Sequence, residues 1–515
     1  MRDAKATSQI TAGTLCSRVN HRYNTASTTV VTDVLDIKYQ KGNIATETAT
    51  ACERINPQVL DPSTNAKANI FFAQAVAQLA LQIKQRAWED HRVQRFECAI
   101  PAIDLLQWLQ INGADAHYYW RNRKGTLAIS GLDAASHFRL NNMADLDSVF
   151  DLAKDKIAQQ NCRYLCNIGF NANSMRGIWQ NAPQAQLVLP LVEATQHYQN
   201  YKLAINLCAD SATSFKAQKS RVLSHLERLR FDVDTGISKQ QKYTLTKRTN
   251  RPSRDQWPAM VEKALQTMQT TGLRKLVLAR HVELDFAEEI EPTSLLERWQ
   301  KQNHNCFAFL FKNTESAFLG CSPERLFHRN ARKLSTEALA GTVSRGTCLE
   351  EDFFYEQQLR SDPKLRLEHQ LVMAFLRQRL SEVATNIDGL DEVAVFKLAK
   401  VQHLYFPLRA TLNKGINDAQ LLNRLHPTPA VCGVPQSHAM NLIDGMEPSP
   451  RGLFSGVVGV VSPQETEMCV AIRSALLQGS KLNGYSGVGI VEGSEEQLEW
   501  EELEAKVSTL LDLFS

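Results

Sequence analysis

The chain has 515 residues, 43% of them apolar and 22% charged, with a net charge of +3. That length allows one large domain or two to three ordinary ones, and the composition is that of a soluble globular protein. The small net charge gives no drive toward nucleic acid or an anionic membrane surface, no apolar run is long enough to span a bilayer, and no apolar segment follows Arg2 and Lys5 as a secretory signal would require. The 11 cysteines are scattered, mostly within apolar runs. Cys162 and Cys166 stand alone, without histidine partners, so reduced buried thiols of a cytoplasmic protein are expected and a metal there is not.

Residues 1–65 are rich in Thr, Ser, Ala and Asn, and only Thr28–Asp36 looks strand-like. A poorly ordered extension is expected there. From Ala66 to Trp88 the pattern predicts a helix, with Ile70, Phe71, Ala75, Val76, Leu79 and Ile83 on its apolar face. A short helix is expected over 102–109, then strands at 117–120 and 126–130, and a helix near 145–159. Strands follow at 163–168, 186–190 and 202–208, separated by turn signals. Residues 215–231 read as a mixed-charge helix, and 239–254 as a polar, basic, solvated linker.

Past Trp257 the signals sharpen. Pro258–Thr271 is a helix that Gly272 can end. Lys275–Arg280 is a β-rich run that begins with a lysine. Residues 306–311 and 317–320 form an antiparallel pair, and a turn through Ser322, Pro323 and Glu324 leads into another strand. Residues 335–342 continue the pattern. A helical stretch over 350–380 breaks at Pro363. His403 lies in a strand-like segment, and three prolines stiffen the loop 426–435. Strands are expected at 451–459 and 468–475. Antiparallel strands with interspersed helices predict an α+β fold.

The last motif combines a glycine-rich run, Gly484 to Gly489, with a helix whose N-cap is expected at Ser494. Leu498, Leu503, Val507 and Leu510 would be its apolar positions. Glu499, Glu502 and Lys506 share one face. Such a face either holds a hard cation such as Mg²⁺ through oxygen or is simply a solvated acidic surface. Elsewhere, Lys275 is either an edge residue or a partly buried lysine able to act as a base. Glu324 is a surface turn carboxylate or a general acid. Glu368 is a surface charge or part of the same site. Arg473, inside an apolar run, calls for an anion.

The run from about Trp257 to the C-terminus resembles the chorismate-utilising enzymes: the isochorismate, salicylate, anthranilate and aminodeoxychorismate synthases. The matching pieces, in the family's order, are Lys275–Arg280, Gly320–Phe327, Ala338–Thr342, Leu365–Leu371, His426–Ala430, Gly487–Val491 and Glu499–Lys506. Residues 100–109 and 117–120 look like the N-terminal part of the menaquinone-type isochorismate synthases. The resemblance implies a single large chorismate-binding domain, residues 66–515, with a variable part to 250 and a motif-bearing part from 251. Its architecture would be an antiparallel β-sandwich wrapped by helices.

The resemblance also implies roles. Lys275, where ammonia-using members carry glutamine, implies activation of water, and Glu324 would protonate the departing hydroxyl. Glu368 and Glu502, with Glu499 beside them, would hold Mg²⁺. Arg473 and the backbone of Gly489 would bind the enolpyruvyl carboxylate, and Thr342, His403 and Lys506 would line the pocket. Val488 and Glu492 depart from the family's alanine and arginine without touching the two glycines. The implied activity is a menaquinone-type isochorismate synthase acting on chorismate with no obligate protein partner. A salicylate synthase and a non-catalytic binding subunit are the alternatives.

Overall fold

Two long strands, Leu127–Leu140 and Ala185–His197, run antiparallel to each other and join the two halves of the molecule. The computed structural model describes residues 62–89, 92–231, 242–390 and 392–514. The expected extension lies outside the described residues up to position 61, as does the strand-like run 28–36; residues 62–65 already belong to the helix Pro62–Gln85.

A β-bulge between Ala134 and Ser136 bends the first long strand, and Asp133 there has φ 52°. Bulges of this kind change a strand's direction and raise its twist. Before the bulge, Leu127–Leu132 pairs with Val192–His197 and with His117–Arg121. From 117–121 the ladder continues through 307–312, 317–322, 474–478, 481–490 and 275–286 to an edge strand, 245–251. Past the bulge the partners are 185–190, and then 164–168, 457–461, 465–470, 325–330, 333–344 and 401–412. All of these pairs are antiparallel. Trp120, Phe309, Phe318 and Tyr485 from one half meet Leu165, Val188, Val460 and Cys469 from the other in one buried cluster. This is the interior of the expected sandwich, and it removes large aromatic areas from water. Helices Pro363–Ser381 and Glu496–Leu511 pack on strands 333–344 and 481–490 from outside.

Most elements stand where the periodicity places them, and the helical stretch does divide at Pro363 into Leu349–Ser361 and Pro363–Ser381. Several boundaries differ for physical reasons. The basic stretch is not only a linker: Leu245–Arg251 is an edge strand beside 275–286. Edge strands tolerate charge because one side faces water, and Arg248 here forms an ion pair with Glu504 at 2.8 Å. The strand beginning at Lys275 runs to Phe286, well beyond Arg280. The strand expected over 468–475 is two, Glu465–Val470 and Ser474–Gln478, because the backbone turns sharply at Arg473, φ 50°. Residues 451–456 form turns, and only Val457–Val461 is strand.

On the first helix Phe72, Leu79 and Ile83 are buried, whereas Ile70 and Phe71 face outward. On the last helix Leu498 is exposed and Trp500 takes the inward position, between the guanidinium groups of Arg254 and Arg280. Its N-cap is Glu495 and not Ser494, whose hydroxyl instead accepts from the Val491 N–H at 3.1 Å. Among the described residues no helix is long and apolar enough to cross a membrane.

Candidate active site

Lys275 opens its strand with its side chain turned inward and 1% exposed, so the edge reading fails. The neighbouring strand brings Gly489 alongside. A Cβ on Gly489 would overlap the Glu368 carboxylate and lie 2.8 Å from Cε of Lys275. Only glycine leaves that space. Glu368 reaches the same point from the helix Pro363–Ser381, started by Asp362, whose carboxylate accepts from the Leu365 N–H at 2.9 Å. Lys275 Nζ and Glu368 Oε1 form an ion pair at 3.0 Å.

The last helix supplies the opposite wall. Glu499 is buried and bonded to Lys364. Burial and the charge of Glu502 push the Glu499 carboxyl upward, with Lys364 opposing. Glu502 is bonded to Lys506 at 2.6 Å, and although burial alone would raise its pKa, Lys506 and the other lysines bring it below the ordinary value. Lys506 also donates to the carbonyl of Gly487 at 2.7 Å. This face is therefore no solvated acidic surface. Each of its carboxylates, like Glu368, is held by a lysine.

Glu324 sits between the strands Ala317–Ser322 and Arg325–Asn330 and is 4% exposed. Burial, with the charge of Glu337, raises its carboxyl to about 8, against the opposing effects of Lys275, a hydrogen bond with Thr428, and Lys506. It is thus a buried carboxylic acid and not a surface turn residue.

Arg473 occupies the break between its two strands. Its carbonyl accepts from the Cys321 N–H at 3.0 Å, and it comes so close to Gly320 that a side chain there would collide with it. The guanidinium donates to Thr509 at 3.3 Å, and no carboxylate among the described residues forms an ion pair with it. A cation in that state favours an anionic ligand. His403 and Thr342 face each other across strands 401–412 and 333–344, 3.0 Å apart, where a bulge at Gly341 shifts the register. Burial, then Arg473 and Lys506, lower His403 to about 3, so its imidazole is neutral.

Direct contacts join Lys275, Glu368 and Gly489 in one group, Glu502 with Lys506 in a second and Thr342 with His403 in a third, and charge interactions relate these to Glu324, Glu499 and Arg473. Lys364, Thr428, Thr509 and Glu337 join them unannounced. Thr428 lies inside the quoted run His426–Ala430, and Lys364 directly follows the helix-breaking proline, but nothing local marks Glu337 or Thr509.

Among the described residues no three His, Cys, Asp or Glu side chains are gathered as a self-sufficient metal site. Mg²⁺ does not need one, because it keeps several waters and takes one or two carboxylates plus substrate oxygens. Glu368, Glu499 and Glu502 offer carboxylate oxygens of the chemistry Mg²⁺ takes, and burial, then the charge of Glu502, raises the Glu499 carboxyl against the opposing Lys364, a charge repulsion that a cation would relieve.

A family model described as chorismate binding enzyme matches residues 75–515. The isochorismate synthase MenF of Haemophilus influenzae is 31% identical over 447 residues, covering 86% of this chain and 97% of that protein. MenF of Escherichia coli is 31% identical over 413 residues, covering 80% of this chain and 91% of that protein. The solved structure of the menaquinone-specific isochorismate synthase MenF from Escherichia coli superposes with a TM-score of 0.76, covering 86% of this chain and 100% of that one at 28% identity.

Proposed function

The chain belongs to the family of chorismate-binding enzymes, and from that premise we propose that it converts chorismate to isochorismate in the cytoplasm, for menaquinone synthesis. The observation that carries this reading is the pairing, within one buried site, of a lysine and a carboxylic acid that keeps its proton near neutral pH.

In this reading Lys275 takes a proton from water as the water oxygen bonds to C2 of the ring. Both ring double bonds shift, the C4–oxygen bond breaks, and Glu324 gives its proton to the departing hydroxyl, which leaves as water. One water enters and one leaves, so the reaction is an isomerisation. For Lys275 the step requires the amine released from its proton and from the ion pair with Glu368, and for Glu324 the protonated acid. Arg473, Lys506 and the backbone at Gly489 bind the substrate carboxylates, while Thr342 and the neutral His403 orient the ring by hydrogen bonds. Glu368 and Glu502, with Glu499 beside them, would hold Mg²⁺, which when bound supplies positive charge for a ring carboxylate.

Incubation with chorismate and Mg²⁺, resolved by chromatography, tests the reading. Isochorismate as the product supports it. Salicylate with pyruvate would make the chain a salicylate synthase, and no turnover would make it a binding subunit.

A further inference from the structure

Arg123 stands in the turn between strands His117–Arg121 and Leu127–Leu140, remote in sequence from every residue of the site. Its side chain is 10% exposed and lies over the rings of Phe396 and Phe307, at 5.1 and 5.9 Å. Its guanidinium makes a two-pronged ion pair with Glu337, Nη2 to Oε2 being 2.9 Å. The same guanidinium donates to the carbonyl of Pro323 at 2.9 Å. The Glu337 carboxylate in turn accepts from the backbone N–H of Arg325 at 3.0 Å. The carbonyl just before Glu324 and the amide just after it are therefore held by one buried Arg–Glu pair. A planar guanidinium is suited to this, because its fork fixes direction as well as distance.

We propose that Arg123 and Glu337 form a clamp that positions Glu324, an inference that rests on Glu324 being the general acid. Neither residue touches the substrate; both act through the Pro323–Arg325 backbone and through the field of Glu337. The groups facing Glu324 are Glu337 from strand 333–344, Lys275 from 275–286, Thr428 from the 426–435 loop, Lys506 from the last helix and Cys469 from strand 465–470. Among the described residues the Glu337 charge favours the proton on Glu324, and both lysines oppose it.

The test is the pH dependence of kcat/KM, with kcat, KM and Tm measured for each variant. Glu337→Gln should move the alkaline limb down by about one pH unit, the scale of one neighbouring charge. Arg123→Met should move it up, since the Glu337 charge is then uncompensated. Arg123→Lys should lower kcat about tenfold with KM nearly unchanged, because a point charge cannot hold both acceptors in register. Single variants leave a buried charge unpaired. Should they fail to fold, the double variant Arg123→Met/Glu337→Gln removes both charges together and should show the downward shift in reduced size, because the loss of Arg123 acts in the opposite direction.

A limb that stays at the wild-type pH in Glu337→Gln and in the double variant would overturn the clamp. Glu324→Gln separates this from failure of the underlying reading. If it retains full activity, the acid itself is misassigned; if it loses activity while the limb in the clamp variants does not move, only the clamp falls.

Discussion

Gly489 and Glu368 approach so closely that only a hydrogen fits between the backbone of one and the carboxylate of the other. A methyl group at Gly489 would push Glu368 away from Lys275 or displace the strand. Gly489→Ala should therefore lower kcat/KM on the order of 100-fold, as small displacements in a preorganised site do, while Tm changes little. A variant with wild-type kinetics would mean that the carboxylate moves aside freely and that its position does not matter.

Lys275 and Glu324 are the residues assigned the two proton transfers. Lys275→Ala and Glu324→Gln should each cost on the order of 10²–10⁴-fold in kcat. Substrate affinity should fall far less, because Arg473 and Lys506 remain. Steady-state kinetics with a direct binding titration separates the two effects, and a change confined to KM would move the proton transfers to other groups.

The raised Glu324 carboxyl carries a pH signature of its own. Activity that needs the protonated acid should decline as pH rises through about 8. Stability should also respond. Between the ordinary value near 4.5 and about 8 the native chain keeps a proton that the unfolded chain has lost. The native state binds more protons there, so this group makes stability fall as pH rises across that window and adds no further slope above it. Glu324→Gln should consequently raise Tm relative to the parent chain, by an increment that grows from pH 5 to pH 8. An increment independent of pH would show that the carboxyl is not held protonated.

Chelation tests the carboxylate set. EDTA should abolish turnover, and Mg²⁺ should restore it. Glu502→Gln should weaken the apparent Mg²⁺ affinity measured by titration of the holoenzyme. Full turnover in a metal-free preparation would dismiss a metal at Glu368, Glu499 and Glu502.

With a lysine at position 275, water is the expected nucleophile. Added ammonium salts should leave the product unchanged, as judged by mass spectrometry. An aminated product as the main species would place the chain with the ammonia-using branch.

Much of this site was legible in the sequence because its residues lie in compact local patterns. A lysine opening an apolar strand, an arginine within an apolar run, and carboxylates at one face of a glycine-preceded helix each violate the pattern expected of a surface. Helical spacing put Glu499, Glu502 and Lys506 on one face but left a solvated acidic surface equally open, and the roles of these residues, like those of Thr342, His403 and Gly489, came from the resemblance to the chorismate-utilising enzymes. What escaped notice depends on long-range contact. Arg123 and Glu337 are unremarkable in their own segments, and their significance comes from a meeting that the ladder of strands creates. The edge strand Leu245–Arg251 escaped for the opposite reason: Lys247 is exposed and Arg248 reaches out to pair with Glu504, so the local charge pattern is that of a linker. Leu498 was misjudged because the last helix turns Trp500 inward between two arginines, a placement apolar periodicity does not weigh.

The two long strands have a consequence for how the chain reaches its native state. Strand Tyr164–Ile168 finds one partner nearby, in 185–188, but its other edge must wait for Val457–Val461. Closing so long a loop costs entropy before the pairing returns anything, and folds dominated by such distant contacts form slowly. During synthesis the apolar edge at Leu165 and Cys166 is therefore open until nearly the whole chain has emerged. An unpaired, uncharged strand edge is a template for association with other chains. The segment from residue 251 onward carries nearly all the chemistry, yet it lacks the strands that close both of its ladders; expressed by itself it should aggregate before it catalyses anything.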